Sequence, residues 1–135
     1  MGARRYIDLK GVRAELGWSQ AEFADMLGVS ARTVQSCEQG WRNPSAAVEK
    51  AVILLLMGKR LGPELGAFHC WDTLECSEEE RAACVVHQTR QGHLCWLLTG
   101  NVCQGEHLHS WEDKMETCLH CAFFQKLLPE GVPTR

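Results

Sequence analysis

The chain has 135 residues, 45% hydrophobic and 23% charged, with a formal net charge of −3; this composition excludes a disordered or fibrous protein. Its longest unbroken apolar run, Ala51 to Met57, falls far short of the ~20 residues that span a bilayer, so no membrane helix is predicted. No apolar leader follows the two cations of Met1-Gly-Ala-Arg-Arg5, and the expectation is a soluble cytoplasmic protein with no membrane partner.

The two sides of the glycine-rich stretch Gly58 to Gly66 differ in chemistry. Residues 1–66 hold nine Lys/Arg, seven Asp/Glu, no His and only Cys37, for a net charge of +2. Residues 67–135 hold five Lys/Arg, ten Asp/Glu, all six His and seven Cys, for a net charge of −5. Two small domains are expected, 1–60 and 67–130. Cores of about 65 residues often need a disulfide, a metal or a partner subunit.

In chain order, Ile7, Val12 and Leu16 recur at helical spacing and predict a first helix from Tyr6 to Leu16, ended by Gly17. Ser19 with Glu22 forms a capping box for a second helix that buries Phe23, Ala24 and Leu27. Gly28-Val29 is a tight turn. Ser30 caps a third helix, Ala31 to Gln39, stopped by Gly40. Pro44-Ser45 opens a fourth, through Val48, Val52, Leu55 and Leu56. Short helices with a Gly-containing turn between the second and third describe a helix-turn-helix. Trp18 and Trp41 flank it and read as packing residues, and Cys37 reads as a small buried hydrophobe.

The run Ser19 to Gly40 followed by Arg42-Asn-Pro-Ser45 resembles the phage-repressor (Cro/lambda repressor, or XRE) helix-turn-helix family over residues 7–57. The resemblance implies a recognition helix at residues 31–39 entering the major groove. It implies a phosphate contact from Gln20, base-edge positions at Ala31, Arg32 and Ser36, and flanking roles for Thr33 and Gln35. Ser30 and Arg42 complete the candidate DNA-binding set. Arg32 is the candidate for a bidentate contact to guanine. The modest +2 charge favours a homodimer on a pseudo-palindromic operator, with the apolar stretch Val52 to Met57, together with parts of the second unit, as candidate seam.

Beyond Gly66, seven cysteines follow the pattern Cys-x5-Cys-x7-Cys-x10-Cys-x7-Cys-x14-Cys-x2-Cys. A reducing compartment disfavours structural disulfides, so clustered thiols point to metal ligands. The candidate ligands are Cys70, Cys76, Cys84, Cys95, Cys103, Cys118 and Cys121. Ser77-Glu-Glu-Glu80 is a capping box for a helix to about Val86 that carries Cys84. Leu94 to Leu98 is a short apolar segment ending in the turn Gly100-Asn101. Ser110 caps a last helix to about Leu128, its core stripe formed by Trp111, Met115, Leu119, Ala122 and Phe123. On that helix Cys118 and Cys121, at i and i+3, share one face. Trp71, Trp96 and Trp111 read as core, whereas His69, His107, His109 and His120 read as exposed.

Cys70-Trp71, Cys95-Trp-Leu-Leu-Thr-Gly100, Cys103 and Cys118-x-x-Cys121 before Phe123-Phe124 resemble the small cysteine-rich two-CW domain of bacterial signalling proteins. This chain departs from that pattern at Val85 and Gln104-Gly105. The resemblance implies a bacterial redox or metal module. Seven thiolates exceed one zinc ion's need, and an iron–sulfur cluster of the 4Fe-4S type takes four cysteines at looser spacing, with zinc as the alternative.

The expected fold is therefore mainly α: a lambda-repressor-like bundle plus a small irregular cysteine-rich metal-binding domain with short helices. The expected function is sequence-specific DNA-binding transcriptional regulation, with the cysteine-rich domain sensing redox state or metal. Alternatives are a regulator with purely structural zinc, or a thiol-disulfide redox protein. No acid–base or nucleophile constellation is discernible, so an enzyme is not expected.

Overall fold

The computed structural model describes residues 7–74, 76–98, 102–103, 106–108 and 110–131. The chain divides into two compact units, one running through Lys59 and the other from Arg60 to Gly131.

The first unit contains α1 (Leu9–Leu16), α2 (Gln20–Leu27), α3 (Ala31–Gln39) and α4 (Ala46–Leu61), the last of which carries the chain across the boundary. The predicted punctuation is present in atomic detail. Ser19 and Glu22 form a reciprocal capping box, and the Ser30 hydroxyl accepts the Thr33 N–H. Gly28 sits at φ 72°, a left-handed conformation that glycine adopts without the Cβ clash of other residues, and lets the chain reverse between α2 and α3. Both α1 and α2 pack on α3. Leu9, Val12, Phe23, Ala24, Val34, Cys37, Val52 and Ile53 are buried, so Cys37 occupies the core. The first helix begins at Leu9; Tyr6, its expected start, lies outside the described residues.

The second unit contains a 3-10 turn at Gly62–Ala67, then α5 (Cys70–Leu74), α6 (Glu78–Ala83), α7 (Val85–Gln88) and another 3-10 turn at Gly92–Leu94. A two-residue antiparallel ladder follows, β1 (Val102–Cys103) with β2 (Glu106–His107), pairing Val102 with His107. The chain ends in α8 (Trp111–Cys118) and α9 (Ala122–Leu127). Val86, Trp96, Leu108, Trp111, Met115, Phe123, Phe124 and Leu127 form the core, and Cys70, Cys95, Cys118 and Cys121 are buried with them. Arg60 Nη1 donates to the carbonyls of Pro129 (2.7 Å) and Gly131 (2.6 Å), tying the start of this unit to its end.

Several sequence expectations need correction. The helix opened by Ser77 stops at Ala83, because Cys84 is extended (φ −89°, ψ 123°) and links α6 to α7 instead of riding on a helix. The last helix is likewise broken. Cys121 is extended (φ −85°, ψ 131°) and stands at the N-cap of α9, so Cys118 and Cys121 do not share a helical face. The break turns Ala122 out to solvent while Phe123 stays in the core. Trp41 is not a packing residue: it is 73% exposed. On α4 the candidate dimer seam is mostly interior, with Val52, Ile53, Leu56 and Met57 fully buried and Leu54 38% exposed. The turn Gly100-Asn101, the pair Gln104-Gly105 and His109 lie outside the described residues.

Candidate nucleic-acid interface and thiol core

In the first unit, Gln20, Ala31, Arg32, Gln35, Ser36 and Trp41 line one concave surface of about 510 Å³. Ala31, Arg32, Gln35 and Ser36 lie one turn apart on the exposed side of α3, whose opposite side buries Val34, Cys37 and Glu38. Arg32 is exposed and has no hydrogen-bond or ion-pair partner among the described residues, leaving its guanidinium fork open to an incoming acceptor. Arg42 is exposed beside Trp41 in sequence. Ser30 and Thr33 have local duties: their hydroxyls lie 2.9 Å apart, and Ser30 Oγ caps α3.

Beneath this face lies a charged network that sequence reasoning missed. Arg13 of α1 donates Nε to Glu38 Oε2 at 2.6 Å and Nη2 to Glu38 Oε1 at 3.0 Å, in a bidentate pair. Arg13 Nη1 also donates to the Trp18 carbonyl at 3.0 Å. Gln20 Nε2 donates to the same Glu38 Oε1 at 3.0 Å, so Gln20 is oriented by α3. One of its two amide protons is thereby engaged and the other remains for an outside acceptor. Burial pushes the Glu38 carboxyl up, but the hydrogen bonds from Arg13 and Gln20, with the Arg13 and Lys10 charges, outweigh it and hold it below the ordinary range. The signal was present in the spacing, because Glu38 shares the inner face of α3 with Val34 and Cys37.

In the second unit four thiols, Cys70, Cys76, Cys95 and Cys118, are shifted from the ordinary range by burial and by their neighbours. A side-chain hydrogen bond with Cys95 lowers the Cys70 pKa, with further help from backbone N–H groups and the Lys114 charge. That same bond, together with burial, pushes Cys95 up. Cys76 is raised by burial and by the neighbouring Cys70 and Cys84. Cys118, raised chiefly by burial and also by Cys103 and Cys121, is pushed up to about 12. Lys114, only 1% exposed, lies among them and donates Nζ to the Cys95 carbonyl at 2.5 Å.

Two further features frame this core. His69 stacks on Trp71 at 4.8 Å, and His87 meets the same indole edge-on at 4.7 Å. His69 is half-buried, not exposed as the sequence suggested, whereas His120 is exposed. Trp96 is fully buried, its Nε1 donating to the His93 carbonyl at 3.0 Å. The cysteine-rich donor chemistry is of the kind that binds metal as thiolate. Among the described residues, however, no three His, Cys, Asp or Glu side chains are grouped as one metal ion would require.

The geometry of α2, α3 and their open face meets an independent comparison. Residues 9–49 match the helix-turn-helix family. The match covers α1 to α3 and the start of α4, and it supports a DNA-binding transcriptional regulator. No curated protein and no solved structure shows a significant match to the chain. No helix among the described residues is long and apolar enough to cross a membrane.

Proposed function

We propose that this helix-turn-helix protein is a sequence-specific regulator that places α3 in the major groove of an operator, with Arg32 reading guanine and Ala31 facing a thymine methyl. One observation carries the reading: Arg32, without a partner among the described residues, shares an open concave face with Gln20, Gln35 and Ser36, and Gln20 is oriented from below by Glu38. The test is selection from a randomised duplex library. Arg32→Ala is expected to cost about 1–3 kcal/mol on the selected site and to relax preference at one base pair. Gln20→Ala should weaken all sequences alike. Unchanged selectivity in the Arg32 variant sinks this register.

We further propose that the protein works as a homodimer on a pseudo-palindrome, and that its cysteine-rich unit is the responsive element, with an iron–sulfur cluster as resident cofactor. What supports the cofactor reading is the seven cysteines of the second unit, four of them buried, although the described side chains are not grouped around one ion. When bound, such a cluster supplies one-electron chemistry and sensitivity to oxidants. Structural zinc is the competing assignment. Protein purified without oxygen separates them: a brown solution containing iron and sulfide supports the cluster, and a colourless one containing zinc overturns it.

A further inference from the structure

Trp41 stands out in the first unit because its backbone is fixed while its ring is open. α3 ends in a Schellman motif: Gly40, at φ 83°, donates its N–H to the Cys37 carbonyl at 3.2 Å, and the Trp41 N–H donates to the Ser36 carbonyl at 2.9 Å. Such motifs usually bury the residue after the glycine against the helix residue whose carbonyl it bonds. Here that residue is Ser36, which offers no apolar surface, and the indole remains 73% exposed. The other tryptophans are covered: Trp18 packs near Phe23 at 6.2 Å, Trp71 lies between His69 and His87, and Trp96 and Trp111 are buried. A lone exposed apolar side chain needs no explanation. This one forms a wall of the same concave surface as Gln20, Ala31, Arg32 and Gln35.

We propose that Trp41 is a DNA-contact residue whose indole packs on deoxyribose of one strand while its Nε1–H donates to an adjacent phosphate oxygen. The proposal rests on the DNA-reading function above. The backbone of that strand would run between Gln20 on one wall and Trp41 on the other, setting the depth at which α3 enters the groove. The indole has the two chemistries this requires, an apolar face and a single donor at its edge. Sugar and phosphate contacts fix register without reading sequence, which is the work left to Arg32. A contact of this kind also suits a unit of modest charge, because packing and a neutral donor add affinity without releasing counterions.

The experiment uses the full chain, the duplex selected by the wild-type protein and single-base variants of that duplex, with anisotropy of a labelled DNA as readout. Trp41→Ala is expected to weaken binding about tenfold on all these duplexes alike, with the slope of log K against log salt unchanged. Trp41→Phe should recover part of the loss, since the ring still packs but the donor is gone. Saturating duplex should quench tryptophan emission in the wild type, and the quench should vanish in Trp41→Phe. Binding of Trp41→Ala at wild-type strength, loss confined to one base pair, or emission unmoved by DNA each overturns the assignment. If Arg32→Ala loses selectivity while Trp41→Ala binds normally, only the Trp41 contact fails. Wild-type protein that selects no duplex overturns the DNA-reading function and this contact with it.

Discussion

Replacing Glu38 by Gln keeps the shape of the side chain and removes the charge that joins α1, α2 and α3. Glu38 accepts hydrogen bonds from Arg13 Nε, Arg13 Nη2 and Gln20 Nε2, and its side chain is 3% exposed. The amide of Gln would turn an NH₂ group toward one of these donors, leaving two donors facing each other. Breaking a buried ion pair from one side costs about 3–5 kcal/mol, but the Arg13 side chain is 19% exposed and water can partly re-solvate it, so about 2–3 kcal/mol is expected. For a unit this small, that corresponds to a melting shift on the order of 10–20 °C. Hydrogen exchange of the α3 amides in the full chain is the suitable assay, because two units need not unfold together. The dependence on pH has a defined sign. Glu38 has a folded-state pKa below its unfolded value of ~4.3, so its contribution is fully present above that value and is lost as pH falls through the folded-state pKa. The gap between wild type and variant should therefore be present at neutral pH and close in acid. Exchange within about 0.5 kcal/mol of wild type at pH 7 would refute the claim that this network holds the reading face together.

Two predictions concern the second unit. A Cβ at Gly92 would lie 2.7 Å from the His69 Cα, a clash with backbone, so Gly92→Ala should destabilise this unit by about 1–3 kcal/mol, seen as faster proteolysis beyond Lys59 with the α1–α3 amides unchanged. On the proposed metal-binding reading, Cys121→Ser should abolish metal content and make residues 60–131 protease-sensitive while the first unit stays helical; a metal-free second unit that remains protected would show that its apolar core suffices.

The first unit was legible because its signals are local. Ser19 with Glu22, Gly28, Ser30 and Gly40 each determine a cap or turn within a few residues, and the observed α2 and α3 follow from them. The side chains that set the geometry of the reading face were less visible. Arg13 and Glu38 are 25 positions apart, and neither reveals its partner through periodicity. In the second unit the apolar stripe through residues 111–128 suggested one helix, yet the chain breaks at Cys121. Helical propensity and pattern are weak priors there, because burying Cys118, Cys121 and Phe123 in one small core overrides them. Lys114 was unreadable for a similar reason: a lysine on an amphipathic helix is ordinarily solvent-facing, and only the assembled thiol core places it inside.

The charge distribution bears on how operator affinity is assembled. Of the candidate DNA-binding residues, Arg32 and Arg42 alone are cationic, and the residues after Gly66 carry a net charge of −5. With Arg32 on a base, Arg42 is the remaining cation of the set for phosphate, so a monomer would show a salt slope of only about −1, and a dimer on two half-sites about −2. Weak single-site binding is thus expected to be remedied by twofold pairing. The structure narrows where pairing can be tested. Leu56 is fully buried, so a charge there unfolds the helix bundle, whereas Leu54 is 38% exposed and can accept one. Leu54→Glu should leave the protein folded, shift it to monomer in light scattering, and reduce the salt slope toward the single-site value. Wild-type protein that stays monomeric at tens of micromolar and still binds one half-site as tightly as the full operator removes the case for a dimer, since two subunits would then add nothing to the contacts of one.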